Sequence, residues 1–294
     1  AIESLYPSNT DMFIKAKAQG AITGYVHPFL GEDDPLLGNL GGGKGFMVDA
    51  ALATTDALEW SDSATSGFFP LYAVWNNGLR VTATGGEDSI SSVHRSKLVG
   101  SFRTYVYTGS AGLGMEQWFD AMKRGRAFVS SGPLLEMNIG TSLPGDTIQL
   151  PEGGGSVTIN GRLRSITDLD ELKLVCNGNL IESFPLRRDK NSLDISAEIN
   201  IERTGWCHLR TEGEREDRFP MDVGYAQAFT NPIWFQVGDE PISNPQSAQY
   251  GLDWIDKLQQ LADAWPGWRS EEEKSHVFGQ FDQARQVYRA NLNR

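Results

Sequence analysis

The sequence of 294 residues is long enough for two domains, and its 39% hydrophobic and 22% charged residues are typical of a soluble protein. The formal net charge is −12 and no run of Lys and Arg occurs, which argues against a nucleic-acid-binding surface. No apolar run reaches membrane-spanning length, so we expect no membrane span, while the compartment stays open between cytoplasm and export.

Residues 1–125 alternate between helix and strand patterns, which favours an α/β domain. The predicted elements are a helix capped by Thr10 and ending at Gly20, strands at 21–26, 55–60, 79–84 and 101–107, and helices at 68–76 and 115–122. A glycine-rich loop at 31–45 lacks the Gly-Lys-Ser/Thr ending of a phosphate-binding loop. Strand and helix in alternation predict a parallel sheet or an α/β barrel.

Residues 126–238 change to short alternating runs at regular spacing, separated by turn residues. Seven strands are predicted, at 127–130, 134–139, 156–160, 171–176, 192–201, 205–210 and 233–237. This pattern predicts an immunoglobulin-like β-sandwich. Cys176 and Cys207 lie in two of these strands, and they form one disulfide if the strands are neighbours, or else two buried free thiols.

Residues 239–294 are predicted to form a linker and a C-terminal helical hairpin. A Pro-, Ser-, Asn- and Gln-rich stretch precedes two segments with apolar residues at helical spacing, and Ser270 with Glu273 makes a capping box for the second. A hairpin this aromatic has to pack on something. We expect it to dock on the rest of the chain or on a second copy, which would make a homo-oligomer.

Acidic and imidazole side chains follow three successive predicted strands. His27 ends the first strand, Glu59 lies near the end of the second, and the third runs through Gly85-Gly86 into Glu87 and Asp88. Reactive groups of parallel α/β folds lie at the carboxyl ends of strands, and this ligand set suits zinc, manganese or iron. Each residue also has an ordinary interpretation, because Glu59 fits an exposed acid and Glu87 and Asp88 fit side-chain caps of the turn.

Positive charge surrounds the next segment of an otherwise acidic chain. His94 is a candidate metal ligand or an ordinary surface histidine. Arg103 is a candidate contact for a substrate phosphate or carboxylate, and the nearby Arg95, Lys97 and Arg126 either share that role or pair with acids. No other candidate metal ligands form a pattern with His208 or His276 in the sequence, so we interpret both histidines as structural.

An ordered series of motifs resembles a known family. The motifs are GAITGYVHPF at 20–29, TDALE at 55–59, ATGGEDS at 83–89, FRTYV at 102–106 and GRAFVSSGPLL at 125–135. The series is similar to the C-terminal part of CehA/McbA-type metallohydrolases, within the polymerase-and-histidinol-phosphatase (PHP) superfamily, over roughly residues 10 to 240.

The resemblance implies a distorted α/β barrel with a metal cluster at its carboxyl end, followed by a β-sandwich. It implies hydrolysis of ester, carbamate or phosphoester bonds by metal-activated water, with His27 and Asp88 as ligands. The chain departs from the family in two respects. It contains no His-x-His pair, and the spacing from Asp88 to His94 is longer than the family's Asp-x-His.

We therefore expect a partial PHP-like α/β domain (1–125), a β-sandwich (126–238) and a linker with a helical hairpin (239–294). The function predicted is that of a metal-dependent hydrolase, or its C-terminal fragment, acting on a small ester or phosphoester with an incomplete metal site. Because the chain begins with Ala1, we expect a fragment or a removed leader. Glu87 or Glu59 would act as ligand or base. The alternative is a non-catalytic binding module that uses the sandwich and the helical tail.

Overall fold

The computed structural model describes residues 5–89, 98–109, 114–186, 191–215 and 224–293. These residues contain six helices and fourteen strands in a mixed α/β arrangement. The helices are α1 (Asn9–Lys17), α2 (Phe46–Ala51), α3 (Phe68–Asn76), α4 (Met115–Lys123), α5 (Pro245–Asp263) and α6 (Glu271–Leu292). The first strands are β1 (Gly24–Tyr25), β2 (Ala57–Trp60), β3 (Thr82–Gly85), β4 (Arg103–Val106) and β5 (Ala127–Ser130).

The remaining strands follow one another through the second half of the chain. They are β6 (Leu134–Asn138), β7 (Thr147–Leu150), β8 (Gly155–Arg164), β9 (Glu171–Cys176), β10 (Asn179–Pro185), β11 (Ser192–Ile201), β12 (Gly205–Arg215), β13 (Tyr225–Thr230) and β14 (Ile233–Val237). The chain divides into two compact units. One comprises Ala1–Ala57, Thr65–Val81 and Ser243–Arg294, and the other Leu58–Ala64 and Thr82–Ile242.

The first unit is helical, and its core consists of large aromatic side chains. Helix α3 packs on α5, and α2 packs on α6, while α5 and α6 form the predicted C-terminal pair. Phe46, Trp75, Trp254 and Tyr288 are fully buried there. The Tyr288 hydroxyl donates to the Met47 carbonyl oxygen at 2.8 Å, so the last helix is fixed to α2. Strand β1 lies against Ala57, the first residue of β2, where a Cβ on Gly24 would approach the Ala57 oxygen to 2.9 Å.

The N-cap of helix α1 lies two residues before the predicted one. Ser8 is the N-cap, since its side chain accepts from the Asp11 N–H while the Asp11 carboxylate accepts from the Ser8 N–H, a reciprocal capping box. The prediction of Thr10 as the cap is wrong. The Thr10 hydroxyl instead donates to the buried Asp49 carboxylate at 2.6 Å. The predicted Ser270 cap of α6 is confirmed, because its side chain accepts from the Glu273 N–H.

The second unit contains two sheets that share one apolar core. One has the order β11-β8-β6, and the other the order β10-β9-β12-β13-β5-β4, with β14 paired to β12 and β7. Leu135, Leu163, Leu174, Leu209 and Phe235 are among the buried side chains that the two sheets contribute to this core. Neither sheet closes on itself over the described residues.

Cys176 and Cys207 are direct partners in the antiparallel pairing of β9 with β12, and they form a disulfide. Of the two predicted states, the bridge is therefore confirmed, and the free thiols are wrong.

Strand β3 is held within the second unit by a buried side chain. The Asn231 amide accepts from the Ala83 N–H at 2.7 Å and donates to the Ala83 and Ala127 carbonyl oxygens, both at 3.0 Å. The side chain thus supplies the hydrogen bonds that a neighbouring strand would supply. Among the described residues, no helix is long and apolar enough to cross a bilayer.

Candidate functional site

The turn after β3 brings backbone and side chains close together, and both of its glycines leave little room for a side chain. A Cβ on Gly86 would lie 3.3 Å from the Glu59 Cδ and 3.4 Å from both carboxylate oxygens. A Cβ on Gly85 would lie 2.9 Å from the Arg103 carbonyl oxygen and from the Phe102 ring. The carboxylate of β2 therefore packs directly on the turn that leads into Glu87 and Asp88.

Hydrogen bonds from two neighbouring strands fix this turn. The Gly85 N–H donates to the Thr104 hydroxyl oxygen at 2.7 Å, and that hydroxyl donates to the Gly85 carbonyl oxygen at 2.8 Å. The Gly86 N–H donates to the Trp60 carbonyl oxygen at 2.9 Å, and Gly86 pairs with Arg103 in an antiparallel bridge. The backbone before Glu87 is consequently tied to both β2 and β4.

The acids around the turn differ in exposure and backbone geometry. Glu59 and Glu87 are half-buried, and Glu87 accepts a hydrogen bond from the Ser89 hydroxyl at 3.2 Å. Asp88 is exposed and has a φ of 52°, in the left-handed region that non-glycine residues seldom occupy. This conformation turns the chain sharply after Glu87.

Arg103 lies on the same side of the backbone as the Glu59 carboxylate. Partners in a β-bridge direct their side chains to the same face, and the Glu59 carboxylate covers that face of Gly86. The Arg103 guanidinium carbon is 5.8 Å from the centroid of the Tyr105 ring, which is stacked on Phe128. The Arg103 Nε is buried and has no hydrogen-bond partner in the described residues. A cationic donor thus lies beside an acidic turn, with an aromatic ring supporting it.

The remaining predicted metal ligands are His27 and His94. His27 belongs to the first unit, where it follows β1, is exposed, and has a φ of 37°. His94 lies outside the described residues, as do Arg95 and Lys97. The structure therefore brings Glu59 and Arg103 to the Gly85–Asp88 turn in the second unit.

The donor set suits a hard cation only in part. Carboxylates such as those of Glu59, Glu87 and Asp88 are ligands for zinc or manganese. In the part of the chain that the structure describes, however, no group of three or more His, Cys, Asp or Glu side chains is arranged to hold a metal ion.

Three side chains outside the turn have structural partners. Arg126 forms an ion pair with Asp146 at 2.8 Å. Of its two predicted roles, this is the pairing with a nearby acid. His208 is fully buried, with its Nδ1 3.0 Å from the Thr230 carbonyl oxygen. The His276 Nε2 is 2.8 Å from Asp11 Oδ1.

Sequence reasoning missed Thr104 as a residue that shapes the site. Its hydroxyl makes two hydrogen bonds to Gly85, yet in the sequence it lies within an ordinary β-branched and aromatic run. Only the pairing of β4 with the turn reveals this role. A comparison with protein-family models and with curated protein sequences finds no match for this chain.

Proposed function

We propose that this chain is a PHP-like metal-dependent hydrolase of ester, carbamate or phosphoester bonds, or the C-terminal part of one. The observation that carries the proposal is the closeness of the Glu59 carboxylate to Gly86, where an added Cβ would lie 3.3 Å from the Glu59 Cδ, immediately before Glu87 and Asp88. Two successive strands thereby supply acids to one turn, as a site built from strand ends requires. The resemblance of the motifs at 20–135 to CehA/McbA-type metallohydrolases supports the same reaction class.

The roles proposed for the residues follow from their chemistry. A divalent metal, when bound, supplies Lewis acidity and an activated water. Asp88, His27 and His94 are the proposed ligands. Glu59 or Glu87 would accept a proton from the attacking water, and Arg103 would donate hydrogen bonds to an anionic substrate group. The buried Arg103 Nε without a hydrogen-bond partner in the described residues supports this last role.

Backbone geometry gives the proposal a second line of support. His27 and Asp88 are two of the five non-glycine residues with positive φ in the described chain, and each follows a strand. Residues held in sparsely populated backbone conformations are concentrated at functional sites, where the surrounding structure maintains them. Both predicted ligands share this property.

Metal content tests the proposal directly. The protein is dialysed with excess Zn²⁺ or Mn²⁺, passed through a desalting column and measured by elemental analysis, alongside His27→Ala, Asp88→Ala and Glu59→Gln. We expect bound metal in the parent chain and a loss in at least the first two variants. Hydrolysis of p-nitrophenyl phosphate and p-nitrophenyl acetate is measured on the same samples.

Asp239→Ala is the matched control, because Asp239 is an exposed acid of the second unit that follows β14 and belongs to neither β2 nor the turn after β3. Its metal content should equal that of the parent. Metal content that does not change in any of the three site variants would overturn the proposed ligand set.

The second candidate function is a non-catalytic binding module that uses the β-sandwich and the helical tail. Its basis is the two-sheet core of the second unit and the aromatic α5–α6 pair, which need no metal to form a binding surface. This candidate predicts no stoichiometric metal and no metal-stimulated hydrolysis of either nitrophenyl substrate. The metal-content experiment therefore separates the two functions.

A further inference from the structure

A loop in the first unit folds back on itself and borders an open cleft. The Gly42 N–H donates to the Pro28 carbonyl oxygen at 2.8 Å, which joins the two ends of the segment 28–42. Within it, the Leu40 N–H donates to the Pro35 carbonyl oxygen at 3.0 Å. We call this segment, 28–42, the Ω-loop, since compact loops with joined ends of this length form that class.

Helix α5 holds the Ω-loop and Lys44, two residues beyond it, with three side chains from one face. The Tyr250 hydroxyl donates to Asp34 Oδ1 at 2.7 Å, the Trp254 indole N–H donates to the Lys44 carbonyl oxygen at 2.8 Å, and the Lys257 ammonium donates to the Leu36 carbonyl oxygen at 2.6 Å. Positions 250, 254 and 257 are spaced as neighbours on a helix surface. The loop is therefore fixed before any ligand arrives.

The cleft has a volume of about 370 Å³, and apolar side chains line it together with polar and charged ones. Phe29, Leu30, Pro35 and Leu37 line it, and the side chains of Leu30 and Leu37 are 65% and 83% exposed. The volume is in the range of small-molecule sites. These two exposed leucines leave apolar area that a ligand would remove from water.

The charged side chains that line the cleft are both carboxylates, Asp33 and Asp34. Asp34 accepts its hydrogen bonds, from Tyr250 and from the Leu36 N–H, on Oδ1. Neither acid forms an ion pair within the described residues. The adjacent lysines are directed to backbone instead, with Lys44 donating to the Gly41 carbonyl oxygen at 2.5 Å and Lys257 to Leu36. The cleft thus combines apolar side chains with two carboxylates that form no ion pair within the described residues.

We propose that the Ω-loop cleft binds a small organic cation with an apolar body, such as an ammonium or amidinium group carried on an aromatic or branched alkyl group. The apolar body would cover Leu30 and Leu37, and the cation would lie against Asp33 and Asp34. Shape and charge complementarity both lead to this class. The proposal is independent of the metal-dependent hydrolase proposed above.

Benzyltrimethylammonium is the probe, and benzyl alcohol and phenylacetate are its neutral and anionic counterparts. Titration into ¹⁵N-labelled protein, followed by two-dimensional NMR, should shift the Gly38, Asn39 and Gly41 amides with the cation. The neutral compound should bind several-fold more weakly, and the anion should not bind. Added salt should weaken cation binding, because the carboxylates are near the surface.

Variants on the two parts of the cleft make the test specific. Asp33→Asn should weaken cation binding several-fold without affecting benzyl alcohol, and Leu37→Ser should weaken both compounds. Glu32→Gln is the matched control, since this exposed acid adjoins Asp33 but does not line the cleft. Equal affinity for all three compounds, no amide shifts with the cation, or unchanged cation affinity in Asp33→Asn would each overturn the proposal.

Discussion

His208 shows how a buried imidazole couples this fold to pH. The side chain is 0% exposed, and burial lowers its pKa from the usual 6.5 to about 3, although the Thr230 carbonyl oxygen works in the opposite direction. The Arg210 charge nearby adds a smaller lowering effect. The imidazole is therefore neutral in the folded protein at any pH where the protein would normally be studied.

The sign of the resulting pH dependence follows from proton binding. Below pH 6.5 the unfolded chain binds a proton at His208 that the folded chain does not bind until about pH 3. We expect the free energy of unfolding to fall as pH falls from 6.5 to 3, by up to about 1.4 kcal/mol per pH unit from this group. Above pH 6.5 the stabilisation from this group is fully present. Urea denaturation at several pH values measures the slope.

His208→Gln provides the comparison for that slope, because glutamine keeps a hydrogen-bond donor and does not titrate. We expect the free energy of unfolding of the parent, relative to that of the variant, to fall steadily as the pH is lowered from 6.5 to 3. The same slope in both proteins would mean that His208 does not titrate in the way proposed, whatever the absolute stability of the variant.

The Asn231 side chain joins two strands at the scale of secondary-structure elements. Its amide makes three hydrogen bonds to the backbone of Ala83 and Ala127 while 0% exposed. Asn231→Ala should destabilise the protein by about 3 kcal/mol, because buried backbone groups lose their partners. Asn138→Ala is the control, since it removes one exposed bond to Gly140 and should cost about 1 kcal/mol or less. A smaller loss in Asn231→Ala than in the control would contradict this role.

The sequence predicted a helix or strand well where neighbouring residues determine where it begins and ends. Helix α3 has the predicted bounds, 68–76, because an apolar run ends at Asn77-Gly78. Strand β10 was not predicted, although its turn was recognised. Asn177 and Gly178 both have positive φ, as a tight hairpin turn requires, and the strand that follows is almost wholly exposed. Its pairing with β9 rather than an apolar pattern makes it a strand.

Pairing from both sides also explains strand β13. Its sequence, YAQAFT, has a weak strand pattern, and it forms a strand because it lies between β12 and β5.

The candidate site also depends on strand pairing that the sequence does not reveal. Sequence reasoning identified Glu59 and the Gly85–Asp88 turn from strand ends, but the hydroxyl of Thr104 reaches Gly85 across 19 residues. Contacts of that separation depend on the sheet order and leave no local pattern.

Chain continuity and spatial grouping differ at the scale of the whole molecule. The first unit is assembled from three separate segments, two near the start of the chain and one at its end. The sequence pattern predicted a helical hairpin at the end of the chain. Its two helices, α5 and α6, pack on α3 and α2, which lie near the start of the chain. The Asn291 side chain, 4% exposed, donates to the Asn77 carbonyl oxygen at 3.0 Å, which fixes the end of α6 to the end of α3.

Because α5 and α6 supply much of the first unit's core, removal of residues 243–294 should unfold that unit. Trp254 and Tyr288 are both fully buried, so their loss would expose Phe46, Met47 and Trp75 to water. In hydrogen exchange of the truncated chain 1–242, we expect amides of α2 and α3 to lose protection and amides of β8 and β12 to keep it.

The milder Gly251→Ala change should lower protection of the same helices. Its Cβ would meet the Tyr288 ring at 2.6 Å and so loosen the packing of α5 on α6. Protection of α2 and α3 that survives the truncation would show that these helices fold without the hairpin.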